Sequence, residues 1–196
     1  MNRLARKEHR AFLALGSNLG ERFDHIRFAV ERLHSAEDVQ VADVSPVYES
    51  EAHVLPGSAW QPPYLNLVVA VRTRLDARTL LALALRIERA RGRRRTETIN
   101  GTPSATDPLL RSSAWASRTL DIDLLVFDRL CLSGNGLSVP HPRLAVRRFV
   151  LRPLYDLAPD LYVPAPFNAR VGELLANCPD KGQLVRLPFE VPNVMS

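Results

Sequence analysis

Cysteine is scarce: the 196 residues hold only Cys131 and Cys178, far apart in sequence. That excludes both a disulfide framework and the paired spacing of a structural zinc site. Long hydrophobic runs are absent as well. Apolar runs such as Leu67 to Val71 have the length of a strand and fall far short of a bilayer span. Near the start, Phe12 to Leu15 is interrupted by Gly16 and is too short for a signal-peptide core. A cytoplasmic protein with no membrane partner is the expectation. Aromatic residues amount to 7%, and acidic residues number 21 against 26 Lys plus Arg, a formal net charge of +5. A mild basic excess suits a polyanionic partner such as a nucleotide. With 46% hydrophobic and 24% charged residues, the balance is that of a globular chain, long enough for one core and one domain over 1–196.

Patterning along the chain alternates strand and helix. Phe12 to Leu15 predicts a buried strand that turns at Gly16-Ser17-Asn18 into a helix with Leu19, Phe23, Ile26, Val30 and Leu33 as its apolar stripe. A strand through Val39 to Val47 follows, then a Pro-rich loop and a strand at Tyr64 to Thr73. Asp76 predicts an N-cap for a helix carrying Leu80, Leu83, Ala84 and Ile87 and stopped by Gly92. From Thr96 to Ala114 the polar, Pro- and Gly-bearing composition predicts a long mobile insert over about 96–114. Thr119 to Phe127 then alternates, with Leu120, Ile122, Leu124 and Val126 assigned to one face and Asp121 and Asp123 to the other. The βαββαβ order over about residues 10–160 predicts an α+β, ferredoxin-like antiparallel sheet with helices on one face and the other face open. Extra elements, helical at Phe149 to Leu157 and Val171 to Asn177, follow it.

Carboxylates two apart on a strand share a face at about 6 to 7 Å, so Asp121 and Asp123 are candidate ligands for magnesium. That ion takes one or two protein carboxylates and leaves its other positions to water and substrate phosphates. Arg118 stands at the mouth of the same strand, where a guanidinium can neutralise phosphate charge. His141 lies between Pro140 and Pro142 in a rigid turn, close ahead of Arg147 and Phe149. Tyr64 and Asn66 offer an aromatic plate and an amide to a heterocycle. Glu88 and the Arg93 to Arg95 cluster end the second helix. Each of these has an ordinary structural alternative: a solvated acid pair, a surface arginine, a turn histidine, or cations placed at a helix C-terminus for its dipole.

The order of several segments together resembles the 6-hydroxymethyl-7,8-dihydropterin pyrophosphokinase family, from about Phe12 to Pro159. The likeness is carried by Leu15-Gly16-Ser17-Asn18-Leu19-Gly20, Ser45-Pro46-Val47-Tyr48-Glu49 and Gln61-Pro62-Pro63-Tyr64-Leu65-Asn66. It continues through Arg86-Ile87-Glu88 with Gly92-Arg93, Arg118-Thr119-Leu120-Asp121-Ile122-Asp123 and Pro140-His141-Pro142-Arg143. The resemblance implies diphosphate transfer from ATP to a hydroxymethyl dihydropterin, with two magnesium ions held by Asp121 and Asp123. It implies ATP contacts from Glu88, Arg93, Arg95, Arg118, His141 and Arg147, and a pterin pocket of Ser50, Tyr64, Asn66, Trp115 and Phe149. Arg118 and His141 join the two aspartates as its catalytic set, and a monomer is expected. Ala116-Ser117 stands where the family usually has Gly-Pro. The competing readings are a degenerate family member and a basic ferredoxin-like module binding nucleic acid, which exposed carboxylates on the sheet disfavour.

Overall fold

β1 (His9–Ser17) is apolar on both faces, Ala11, Leu13 and Leu15 alternating with Phe12, which suits a strand at the centre of a sheet. It lies between β4 (Tyr64–Thr73) and β5 (Asp121–Phe127), antiparallel to each. β2 (Val39–Val44) and β3 (Tyr48–Ser50) pair successive parts of β4. The second expected strand is thus broken at Ser45-Pro46-Val47: Pro46 has no N–H to donate, and Ser45 substitutes for the ladder. Its amide donates to the Val68 carbonyl at 2.9 Å while its hydroxyl accepts the Val68 amide at 2.9 Å. With α1 (Arg22–His34) and α2 (Ala77–Ala90), the order is the ferredoxin-like one, β5 and β1 beside β4 and then β2 and β3. The computed structural model describes residues 7–52, 60–92, 118–188 and 191. The expected insert at 96–114, with Arg93, Arg95 and Trp115, lies outside the described residues.

α2 starts and stops for local reasons. Asp76 caps α2 as expected, accepting the Thr79 amide at 2.8 Å, and Gly92 at φ +80° ends it. α1 starts later than the sequence implies. Ser17 and Asn18 are buried and bonded elsewhere, so Leu19 falls outside the helix and is exposed. Ile26, Ala29, Val30 and Leu33 of α1 and Leu80, Leu83, Ala84 and Ile87 of α2 pack on Leu13, Leu15, Leu67, Val69 and Val71.

The opposite face is only partly open. A hairpin of β6 (Leu132–Gly134) and β7 (Leu137–Val139) leads into α3 (Arg148–Leu157). β8 (Tyr162–Val163) pairs β9 (Ala169–Arg170), α4 (Val171–Ala176) follows, and β10 (Leu184–Arg186) pairs β3 at the sheet edge. Val150, Leu151 and Leu154 of α3, with Val163 and Val171, cover Phe12, Val68, Ala70, Leu125 and Val126. Each such side chain contributes about 1.5–3 kcal/mol by leaving water, so covering this half of the face is strongly favoured. Val126 departs from its expected side because the β1–β5 register shifts between Phe12 and Leu13, which leaves Leu125 as an extra residue. A bulge of this kind reverses the alternation beyond it. Leu125 and Val126 therefore join the C-terminal cluster, while Ile122 and Leu124 stay with α1 and α2.

Candidate active site

The uncovered half of that face carries polar side chains in register. Asn66 of β4 lies opposite Gly16 of β1, and Gly16 lies opposite Asp121 of β5; directly paired residues project to the same side. One row across three strands thus sets an amide and a carboxylate either side of a glycine, roughly 9.5 Å apart at two strand spacings. A Cβ on Gly16 would stand 3.6 Å from Asn66 Oδ1 and 3.7 Å from the Tyr64 ring, so the glycine leaves a bare floor between them. Two residues along, Ala14 pairs with Asp123. The cleft above this floor encloses about 720 Å³, its open mouth included, and is lined by Ser50, Tyr64, Asn66, Arg118, Asp121, Asp123, Arg147 and Phe149 among others. Eight sequence-predicted site residues therefore converge on one cleft.

At one end Asn66 is buried and donates from Nδ2 to the Ser50 hydroxyl at 2.9 Å. Tyr64 lies opposite Ser50 on β3 and projects beside Asn66. Phe149, from the first turn of α3, forms the facing wall, with the Arg147 guanidinium 5.6 Å from its ring centroid. The end is flat, aromatic-sided and amide-bearing.

At the other end Arg118 pairs with Asp121 through Nη1 and Oδ2. Burial works against the guanidinium's charge, and the charge and hydrogen bond of Asp121 outweigh it, holding Arg118 above its ordinary pKa. Arg147 Nη1 lies 3.4 Å and His141 Nε2 3.8 Å from Asp123 Oδ2. The His141 amide donates to the Leu125 carbonyl at 2.8 Å, and its Nδ1 accepts from the Arg143 amide at 3.2 Å. Nδ1 as acceptor leaves the proton on Nε2, facing Asp123. Burial pushes the imidazole below its ordinary value; Asp123 opposes this, and Arg147 and Arg143 add to it. Burial, then Arg143, likewise lowers Arg147. This end of the cleft is thus lined by Asp121, Asp123 and the guanidinium groups of Arg118 and Arg147, with the His141 imidazole behind Asp123.

No group of three or more His, Cys, Asp or Glu that could hold a metal occurs among the described residues. Two part-exposed carboxylates on one face match the donor set magnesium accepts when phosphates and water complete its shell, so Asp121 and Asp123 fit that ion.

Glu88 is not on the cleft. It is 1% exposed, and its Oε1 accepts the Ile122 amide at 2.7 Å, which places it as a support beneath β5. A carboxylate on the inner face of an amphipathic helix meets the edge of the sheet before it meets solvent. The turn Gly16-Ser17-Asn18 clamps the start of the Arg118–Thr119 segment. Asn18 donates its amide to the Arg118 carbonyl at 3.0 Å and accepts the Arg118 amide on Oδ1 at 2.6 Å, and the Ser17 hydroxyl donates to Thr119 O at 2.6 Å. Sequence reading also missed the tie between Tyr48, Arg152 and Asp156. The Tyr48 hydroxyl donates to Asp156 at 2.6 Å, and Arg152 donates to both; the i, i+4 spacing of Arg152 and Asp156 was its only local signal.

Residues 12–159 match the family described as 7,8-dihydro-6-hydroxymethylpterin-pyrophosphokinase, HPPK. A Pseudomonas aeruginosa protein named 2-amino-4-hydroxy-6-hydroxymethyldihydropteridine pyrophosphokinase is 37% identical over 91% of this chain and 97% of its own. A Bacillus subtilis protein of the same name is 37% identical over 75% of this chain and 77% of its own. Among solved structures, a Plasmodium falciparum HPPK-DHPS with pterin and p-hydroxybenzoate superposes with a TM-score of 0.60 at 15% identity, over 88% of this chain and 43% of that one. That likeness bears on the fold alone. By sequence match, fold and a cleft that pairs an amide-and-aromatic end with a two-carboxylate end, the chain belongs to the 7,8-dihydro-6-hydroxymethylpterin-pyrophosphokinase family.

Proposed function

We propose that this chain moves the diphosphate of ATP onto the hydroxymethyl group of 6-hydroxymethyl-7,8-dihydropterin, releasing AMP and the pterin diphosphate, a step of folate biosynthesis. The row Asn66–Gly16–Asp121 carries the reading, because it sets a heterocycle-sized end and a phosphate-sized end on one continuous floor. The names of the Pseudomonas and Bacillus relatives support it. Asn66, through its amide, and Tyr64 and Phe149, through their rings, hold the pterin, with Ser50 orienting Asn66. Asp121 and Asp123 would hold two magnesium ions, which when bound would offset the charge of the phosphates.

The hydroxymethyl oxygen attacks the β-phosphorus in line, the bond from that phosphorus to the α,β-bridging oxygen breaks, and AMP leaves with the bridging oxygen. Asp123 takes the hydroxyl proton. Such a transfer depends on positioning and charge neutralisation more than on covalent help. Arg118 and Arg147 now sit on Asp121 and Asp123; with substrate bound they turn to the phosphates, and His141 donates from Nε2. Arg93 and Arg95 for the nucleotide and Trp115 for the pterin keep the roles the resemblance implies. The protein acts as a monomer in the cytoplasm. Among the described residues no helix is long and apolar enough to cross a membrane.

The test is the identity of the nucleotide product with ATP, the pterin and magnesium, followed by chelation and magnesium add-back. AMP in equal amount with pterin diphosphate, abolished by chelator, is expected. ADP, or no nucleotide turnover, would overturn the assignment.

A further inference from the structure

Arg147 occupies the N-cap position of α3, and the first two residues of the helix are Arg148 and Phe149. An N-cap side chain ordinarily accepts a hydrogen bond from one of the unpaired amides of the first turn. A guanidinium has only donors, and Arg147 makes no side-chain cap bond. Its side chain reaches instead towards Asp123 in the cleft. Arg143, Arg147 and Arg148 also crowd the helix end whose dipole is already positive, which is unfavourable. The site thus places a cation where local helix chemistry wants an acceptor and an anion.

The missing acceptor comes from far along the chain. Asp180 Oδ2 accepts the Arg148 amide at 3.0 Å, while its Oδ1 accepts the Gly182 amide at 2.9 Å. One carboxylate therefore bridges the start of α3 to the segment leading into β10, and β10 pairs Leu184 with Ser50 on the opposite wall of the pterin end. Further along, the Leu187 amide donates to the Val47 carbonyl at 2.9 Å. Asp180 lies beyond the residues 12–159 that match the family.

We propose that Asp180 is a positioning residue for substrate recognition, a cap supplied in trans along the chain that fixes where α3 begins and so where Phe149 and Arg147 face the cleft. The inference rests on the pyrophosphokinase reading above. Asp180 touches neither substrate; it acts through the first turn of α3.

The test compares wild type with Asp180→Ala, Asp180→Asn and Gly182→Ala. The last adds a Cβ 3.0 Å from Asp180 Oδ1 and displaces the carboxylate without removing it. Pterin KM, ATP KM, kcat and melting temperature are measured well below the melting point of each variant. Loss of a cap of this kind corresponds to about tenfold in an equilibrium constant. Expected are a pterin KM raised about tenfold in Asp180→Ala, about threefold or less in Asp180→Asn, which keeps an acceptor, and an intermediate rise in Gly182→Ala. If Asp180→Ala does not fold, Gly182→Ala decides. A lowered melting temperature with pterin KM and kcat both within about twofold of wild type would show that Asp180 serves stability only and would overturn the inference. A wild-type protein that makes no AMP from ATP and pterin would instead sink the reading on which it rests.

Discussion

The carboxylate of Glu88 accepts the amide of Ile122 at 2.7 Å, the one residue that lies between Asp121 and Asp123. β5 is an edge strand of the sheet, so an outward amide there has no neighbouring strand, and a buried donor left unpaired is costly. A side chain from α2 thereby fixes the backbone from which both proposed metal ligands project.

Glu88→Ala leaves that amide without its acceptor and opens a void, so stability falls by about 2–4 kcal/mol in denaturant unfolding and turnover falls with it. Glu88→Gln keeps an acceptor oxygen and recovers more than half of the lost stability. Equal damage from both substitutions would mean that the charge of Glu88, rather than its acceptor geometry, is what β5 requires.

Asp123→Asn removes one anionic ligand and the proton acceptor while leaving the fold intact, because the side chain is part exposed and the Asp123 backbone pairing with Ala14 is untouched. Turnover drops by about 4 kcal/mol of transition-state stabilisation, roughly a thousandfold. Near-wild-type turnover of this variant at saturating magnesium would refute the metal assignment. Unchanged circular dichroism and melting exclude a folding defect.

Asn66→Ala removes the donor to Ser50 Oγ and the amide at the floor of the pterin end. Pterin affinity weakens by about 1–3 kcal/mol, whereas affinity for an ATP analogue changes little, as calorimetry of each ligand will read. Matching losses for both ligands would make Asn66 a support of β3 and β4 and remove it from recognition.

Asp128 gives a pH test away from the cleft. It accepts the Arg10 amide at 2.8 Å and lies 2.7 Å from His9 Nδ1. Burial raises its carboxyl pKa, and the hydrogen bonds from Arg10 and His9 outweigh that, leaving it below the ordinary carboxylate value. A depressed folded pKa stabilises above the unfolded value of about 3.9, and the contribution is lost as pH falls through the folded value. Asn tolerates the φ of +46° at this position. Asp128→Asn therefore leaves turnover unchanged and lowers stability near neutral pH by about 1 kcal/mol, or about 2–4 °C in melting. The deficit shrinks below about pH 4. A deficit independent of pH would rule out the carboxylate's ionisation as its source.

Periodicity and local chemistry by themselves determined most elements and the shared face of Asp121 and Asp123. β4 runs from Tyr64 to Thr73 as the Val- and Leu-rich run requires, Asp76 caps α2, and Gly92 ends it. These are properties of a few neighbouring residues, which is why a linear reading reaches them. The tertiary structure alone decided what depends on partners distant in the chain. Leu125 became a bulge through its pairing with β1, which turned Val126 to the other face. α3 and the segments after it covered half of a face expected to be open. Glu88 turned inward because an edge-strand amide 34 residues away needed an acceptor. Asp180 was drawn to α3 because Arg147, facing Asp123, could not cap its own helix. The type of each side chain is written locally, but which unpaired donor it must satisfy is set only when the chain has closed around it.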